Sequence, residues 1–228
     1  ILQFNNLSVV QQDLRGLSSS YDKNVITSLV GRADYSYNDK YYLTATARYD
    51  GASNFAENKK WGFFPSLSAK WRISQEPFFQ ALPLSRDLLS DVALRASYGM
   101  SGNQGISDYQ SLASISSNSS AYLFGGNQVL GFTQSNLANN SLSWETTAQA
   151  NIGLDLALLN GRITLDANYY NMHTKNLLLS VQVPSQTGYG SRLVNLGKTM
   201  SSGFEFSLNG SLIETPDFSW SVTENLAT

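Results

Sequence analysis

The chain has 228 residues, 14% of them charged, with a net charge of −2 at pH 7 and no cysteine. Disulfides, thiol chemistry and cysteine metal sites are excluded, and there is no basic field to hold nucleic acid. The longest unbroken apolar runs, Ala121–Phe124 and Leu156–Leu159, are four residues, far short of the roughly 20 that a membrane-spanning helix needs.

Polarity is carried by uncharged groups, with 33 Ser and 20 Asn, beside 12 Tyr, 11 Phe and 4 Trp. That is too apolar and aromatic for a disordered chain. Period-2 alternation dominates instead, and it predicts eight strands. The first, 27–38, lines up Leu29, Gly31, Ala33, Tyr35 and Tyr37 on one face. The second, 40–50, does so with Tyr41, Leu43, Ala45, Ala47 and Tyr49, and the third, 61–73, with Phe63, Pro65, Leu67, Ala69, Trp71 and Ile73. Within the 74–90 connection, Glu76–Leu82 has the makings of a helical turn. The fourth strand, 91–100, aligns Val92, Leu94, Ala96, Tyr98 and Met100. A long Ser/Asn/Gly-rich stretch, 101–143, reads as a loop. The fifth, 144–156, aligns Trp144, Ala148, Ala150, Ile152 and Leu154, and the sixth, 162–173, aligns Ile163, Leu165, Ala167 and Tyr169. A second long loop, 174–198, precedes the seventh and eighth strands, 199–212 and 218–227.

The opposite faces hold the charge: Arg32, Asp34, Arg48, Asp50, Lys70, Arg72, Arg95, Asp155, Arg162, Asp166 and Glu205 share that parity. Gly and Ala on the apolar row suit a lipid-facing wall better than an interdigitated core. Turns at Asn38-Asp39, Leu159–Gly161 and Glu214–Asp217 are short, while the connections at the other end are long; the 74–90 connection departs from this, since it falls on the short side and is 17 residues long. Short turns on one side and long loops on the other mark an outer-membrane barrel. Its aromatics should form two girdles at headgroup level: Tyr35, Tyr37, Tyr41, Trp71, Phe218 and Trp220 below, and Tyr49, Phe63, Tyr98, Trp144 and Tyr169 above. A soluble β-sandwich or propeller piece would instead place its aromatics mid-strand and even out its loops.

Candidate sites are few. His173 is the only histidine, so a triad or histidine metal cluster lacks companions. Asp50–Asn54 lacks the ligand spacing of a calcium loop, and Gly188-Tyr189-Gly190 lacks the lysine of a phosphate cradle. The charged inward row (Arg32, Asp34, Arg48, Asp50, Arg72, Arg95, Asp166, Glu205) suits a wet lumen. In the long loops, Asn103, Gln104, Tyr109, Tyr122, Phe124 and Tyr189 offer amides and aromatic faces to a sugar or a protein lid. No catalytic constellation and no cofactor motif stands out.

Several runs resemble the TonB-dependent outer-membrane transporters of the SusC/RagA type. They are Leu29–Leu43; Arg48–Phe55 with Trp61–Ser66; Trp71–Ser74 with Glu76–Phe78; and Leu94–Gly99 with Gly102–Gln104. Trp144-Glu145, Asn151–Asp155, Asp166 with Tyr169-Tyr170, Leu177–Leu179, Val183-Pro184 and Thr187–Tyr189 follow in the same order. The resemblance implies a barrel of about 22 strands around a plug domain. It also implies glycan or peptide import, a SusD-like surface lipoprotein as lid, and a TonB complex that drives opening. Residues 1–228 are then expected to be a partial barrel domain of about eight antiparallel strands. The plug, the TonB-contacting N-terminal part and the rest of the barrel would lie outside it. Ile1–Phe4 reads as the middle of an outer loop, and the end at Thr228 lacks a terminal aromatic. Glu224 falls on the outward row, where a charge is costly near the bilayer centre, so the eighth strand is expected to end early, bend or break off. Two other readings are a soluble glycan-binding sandwich acting through Tyr109 and Tyr122, and a passive small barrel.

Overall fold

The computed structural model describes residues 21–82, 88–125 and 127–228, apart from the side chains of 117–123 and 127–130. The reading of Ile1–Phe4 lies outside the described residues. In chain order the strands are β1 (Ile26–Tyr37), β2 (Tyr41–Ala52), β3 (Trp61–Arg72), β4 (Leu89–Asn103), β5 (Ile115–Phe124) and β6 (Asn127–Gln134). They continue with β7 (Glu145–Leu158), β8 (Ile163–Lys175), β9 (Leu178–Gln182), β10 (Ser191–Asn195), β11 (Lys198–Glu214) and β12 (Ser219–Ala227). All eight strands expected from periodicity join one antiparallel sheet, ordered β1-β2-β3-β4-β7-β8-β11-β12. It is a single curtain with two edges, β1 and β12, so the described residues form a wall segment and not a closed ring.

Register explains why the alternation recurs. Directly opposed residues point to the same face. Ala33 lies across from Ala45, Ala45 from Leu67, and Leu67 from Tyr98. Tyr98 lies across from Ala150, Ile152 from Tyr169, and Tyr169 from Phe204. Each strand thus passes the apolar row to its neighbour in phase. A slip of one residue anywhere would send apolar groups inward and Arg and Asp outward. The row is bare of protein cover: Leu29 is 73% exposed, Ile152 62% and Leu67 52%. So large a contiguous apolar surface must be covered by something other than water.

The tight turns follow from local chemistry. Asn38 and Asp39 both take positive φ, 51° and 52°, which Asn and Asp tolerate better than other non-glycine residues. At the other hairpin, Leu159, Asn160 and Gly161 have φ of 53°, 57° and 84°. The longer turn between β3 and β4 contains the expected helical segment as α1 (Pro77–Gln80), with proline at its first position. Glu76, just before it, accepts hydrogen bonds from the Tyr41 hydroxyl at 2.5 Å, the Lys40 amine at 3.1 Å and the Trp71 indole at 3.1 Å. These bonds, that from Tyr41 foremost, hold the Glu76 carboxyl below the usual carboxylate range.

Three expectations need correction. The stretches 101–143 and 174–198 are not plain loops, because β5 pairs with β6 and β9 with β10 as separate two-stranded hairpins. Trp144 is not in the upper girdle. It lies just before β7, is 8% exposed, and packs on Phe55 and Phe64. Trp61, 50% exposed and stacked on Tyr49 at 4.9 Å, is an outward ring at that end. Finally, β12 does not stop before Glu224; it runs to Ala227 and sets Glu224 across from Leu208 on the outward row. A bulge between Ser211 and Ile213 in β11 takes up one residue and keeps Trp220 in phase.

Ala45 and Ile152 lie in the aliphatic band between the girdles. Ala45→Arg or Ile152→Arg, placed in the full-length protein, is expected to cost about 2–4 kcal/mol if near the midplane. The check is heat-modifiable migration after membrane assembly, which each variant should lose.

Candidate functional site

Two places gather polar chemistry: the inward face of the wall and the cluster of loops above it. On the inward face, cross-strand register pairs charges that sequence spacing left apart. Arg95 in β4 reaches Asp155 in β7 at 2.7 Å, Asp166 in β8 at 2.7 Å and Asn168 at 3.1 Å. Lys70 in β3 joins Asp155 at 3.1 Å. The group spans four strands, and Gly153 makes room for it. A Cβ at Gly153 would stand 2.4 Å from Asn168 and 3.1 Å from the Arg95 guanidinium.

The other inward candidates form separate pairs. Arg32 and Asp34 meet at 2.8 Å within β1, and Thr44 donates to Asp34 at 2.6 Å. Arg48 meets Asp50 at 2.7 Å, where Asp50 is buried under the loops. Arg72 meets Asp91 at 3.3 Å, and the Ser74 hydroxyl also donates to Asp91. Glu205 lies across from Asn168 with no ion pair among the described residues. Lys70 and Asp155 share the inward parity in sequence, yet nothing there singles them out from their row. Asp91 and Asn168 share that parity too, and nothing in the sequence names their partners.

The buried core sits above the wall. Ala52, Phe55, Phe64, Ile106, Leu142 and Trp144 pack together, with Leu178 and Leu193 against them. Gly62 and Gly102 permit this, because a Cβ would lie 2.5 Å or 2.0 Å from the Phe64 ring. Three connections are pinned by buried polar groups. The Trp144 indole donates to the Lys60 carbonyl at 2.9 Å, and the Asn54 amide donates to the Ile106 carbonyl at 2.9 Å. Asn139 donates to the Leu193 carbonyl at 2.7 Å, and Asn195 to the Ser143 carbonyl at 2.8 Å. Each of these donors satisfies a carbonyl of another connection.

This core presents the loop candidates, though not together. Asn103 caps Gly105 at 3.1 Å and reaches toward Glu145, while the half-buried Gln104 has a carbonyl oxygen without a partner. Tyr109 is exposed and takes φ of 60°. Phe124, at the tip of β5, is 80% exposed. The Tyr122 side chain lies outside the described residues; its backbone pairs with Val129. Tyr189 lines a cleft of about 400 Å³ together with Gln110, Gln134, Asn136, Ser180 and Arg192. Four of those five partners were hidden in the sequence, since Ser, Asn and Gln are spread through both loops, and Arg192 stood in a loop with no spacing to join it to them. The cleft's amides, hydroxyls and phenol, with the Arg192 guanidinium, can hydrogen-bond a polar chain. His173 lies across from Ala148 and Met200.

Arg95→Ala should destabilise the full-length protein by about 1–3 kcal/mol, the range for hydrogen bonds to charged groups. Arg32→Ala, at an exposed and solvent-screened pair, should cost much less. Thermal unfolding in detergent compares the two. Trp144→Ala should cost about 3–5 kcal/mol of local packing. Limited proteolysis should then cut the loops while heat-modifiable migration of the barrel persists.

The family model described as TonB dependent receptor-like, beta-barrel matches residues 3–228. The chain is 40% identical over 220 residues to TonB-dependent receptor P26 of Formosa agariphila, covering 96% of this chain and 22% of that protein. It is 36% identical over 217 residues to TonB-dependent receptor SusC of Bacteroides thetaiotaomicron, covering 93% of this chain and 21% of that protein. The RagAB peptide transporter structure superposes with a TM-score of 0.78 at 28% identity, covering 89% of this chain and 21% of that one. The chain thus spans about a fifth of the length of the relatives it matches.

Proposed function

The chain belongs to the TonB-dependent receptor β-barrel family, and from that premise we propose that the full-length receptor is an active importer of oligosaccharides or oligopeptides. It works in the Gram-negative outer membrane. The outward apolar row is the part of its wall that faces lipid. The inward charged row lines a lumen that a plug closes, and TonB, engaging a part outside these residues, supplies the energy to open it. A SusD-like lipoprotein covers the loop end.

One observation carries the reading: the loops above the wall are folded around their own core and display a polar cleft outward of it. A connection that merely joined strands would need neither a buried Trp144 nor amides bridging three loops. The 400 Å³ cleft around Tyr189 has the size and lining to hold one sugar ring or one peptide unit of a longer chain. The RagAB relative, named as a peptide transporter, and SusC frame the two substrate classes. Glu205, on the inward row with no ion pair among the described residues, is proposed to meet the plug or the passing solute. Arg95, tied to two carboxylates, is proposed to stiffen the wall.

The β5–β6 hairpin can be tested apart from the core. Removing 115–134 spares Ile106, Ser111, Asn139 and Leu142, so the barrel should assemble and migrate normally. Uptake of substrate, co-purification of the lipoprotein, or both should fall at least several-fold. Unchanged uptake together with unchanged co-purification would remove the hairpin from the import function.

A further inference from the structure

The turn between β3 and β4 has a feature that wall building does not require. Glu76 is 9% exposed, and two of its three donors, the Tyr41 hydroxyl and the Trp71 indole, sit on the lipid-facing row. Their rings stack, with centroids 6.5 Å apart and planes 12° from parallel. A carboxylate held by the polar tips of outward-pointing rings must lie at the outer rim of the wall. Glu76 thus ties the turn to the outward rim, while Ser74 ties its start to Asp91 on the inward face. Lys40 neutralises the carboxylate at 3.1 Å, so this rim carries little net charge.

Two large apolar side chains that follow are exposed. Phe78, in α1, is 59% exposed and Leu82, just beyond it, is 51% exposed. The rim also borders a shallow apolar trough of about 290 Å³ on the outward face. Its floor is the opposed pair Ala69 and Ala96, and its walls include Tyr35, Leu43, Trp71 and Leu94. Small side chains there lie between large ones. Seven of the nine residues that line the trough belong to the row that faces the bilayer, with Tyr42 and Lys70 from the opposite parity at its margin, so the occupant that suits it is hydrocarbon.

We propose that α1 and the trough form one phospholipid site in the periplasmic leaflet. An acyl chain lies over Ala69 and Ala96, and the Phe78 ring enters the boundary between headgroups and acyl chains beside it. The Tyr41 and Trp71 tips mark headgroup level, where amphipathic rings settle. Glu76 is the positioning residue that hangs α1 at that depth. The site rests on the membrane reading of the wall but not on what the receptor imports. Because Lys40 is already paired, the site selects for the chain and not for headgroup charge.

The test places the photoreactive residue p-benzoylphenylalanine at position 78 of the full-length receptor in native outer membranes, with position 160 in the tight turn between β7 and β8 as control. Heat-modifiable migration first verifies assembly. After irradiation, the peptide containing position 78 should carry a phospholipid mass at a yield several-fold above that at 160. The same probe at position 82 is the second reading and should behave alike. Ala96→Phe, which fills the trough, should lower the lipid yield at 78 several-fold. An adduct to a protein chain would make α1 a protein dock and overturn the proposal. A yield at both 78 and 82 no higher than at 160 would put the segment in water and overturn it too. If the wall itself were misassigned, migration would fail and lipid adducts would be absent from outward wall positions such as 152, which separates that failure from this one.

Discussion

Everything in this structure depends on one constraint: eight strands must keep a two-residue alternation in a common register. Backbone hydrogen bonds hold adjacent strands together, but they do not by themselves choose a register. The choice comes from the cost of turning Arg32, Arg48 or Arg95 into hydrocarbon while Leu43 or Ile152 turns toward water. Both penalties apply at every step, so the row Ala33–Ala45–Leu67–Tyr98–Ala150 passes in phase across five strands. The inward charges are then free to find partners. Arg95, Lys70, Asp155 and Asp166 become neighbours only because the outward row has fixed the sheet.

The two ends of the sheet solve different problems. At the tight-turn end, Asn38, Asp39 and Asn160 supply the left-handed backbone, and Glu76 binds the polar tips of the girdle. At the loop end, three connections reach beyond the sheet and must bury their own backbone. They do so around Phe55, Phe64 and Trp144, with Asn54, Asn139 and Asn195 satisfying the carbonyls left inside. Rigid loops on a rigid wall suit a surface that must recognise a partner or a solute. Pre-ordered loops avoid the entropy cost of ordering at the moment of binding.

The wall was legible in the sequence because alternation and charge parity are local signals that repeat. Strand existence, the outward row and the helical turn near Pro77 all follow from them. The loop hairpins were not legible, because Ser, Asn and Gly dominate 115–134 and hide the pairing of Ile115 with Gln134. Trp144 was misplaced for a physical reason. Its parity matches the outward row, but it precedes the first residue of β7, where the pleat no longer dictates direction and the pocket beside Phe64 does. Glu224 shows the reverse case: the register of β12 on β11 sets this carboxylate on the outward row, across from Leu208. The cleft partners of Tyr189 come from two distant loops, and no spacing rule joins residues brought together only by a shared core.

The lipid-facing phase of the wall is the central claim, and a nitroxide scan along β7 in the full-length receptor in membranes tests it most directly. Labels at 150, 152 and 154 should collide more with oxygen than with a water-soluble nickel chelate, and labels at 151, 153 and 155 should not. A flat profile, or one with the opposite phase, would contradict the wall described here.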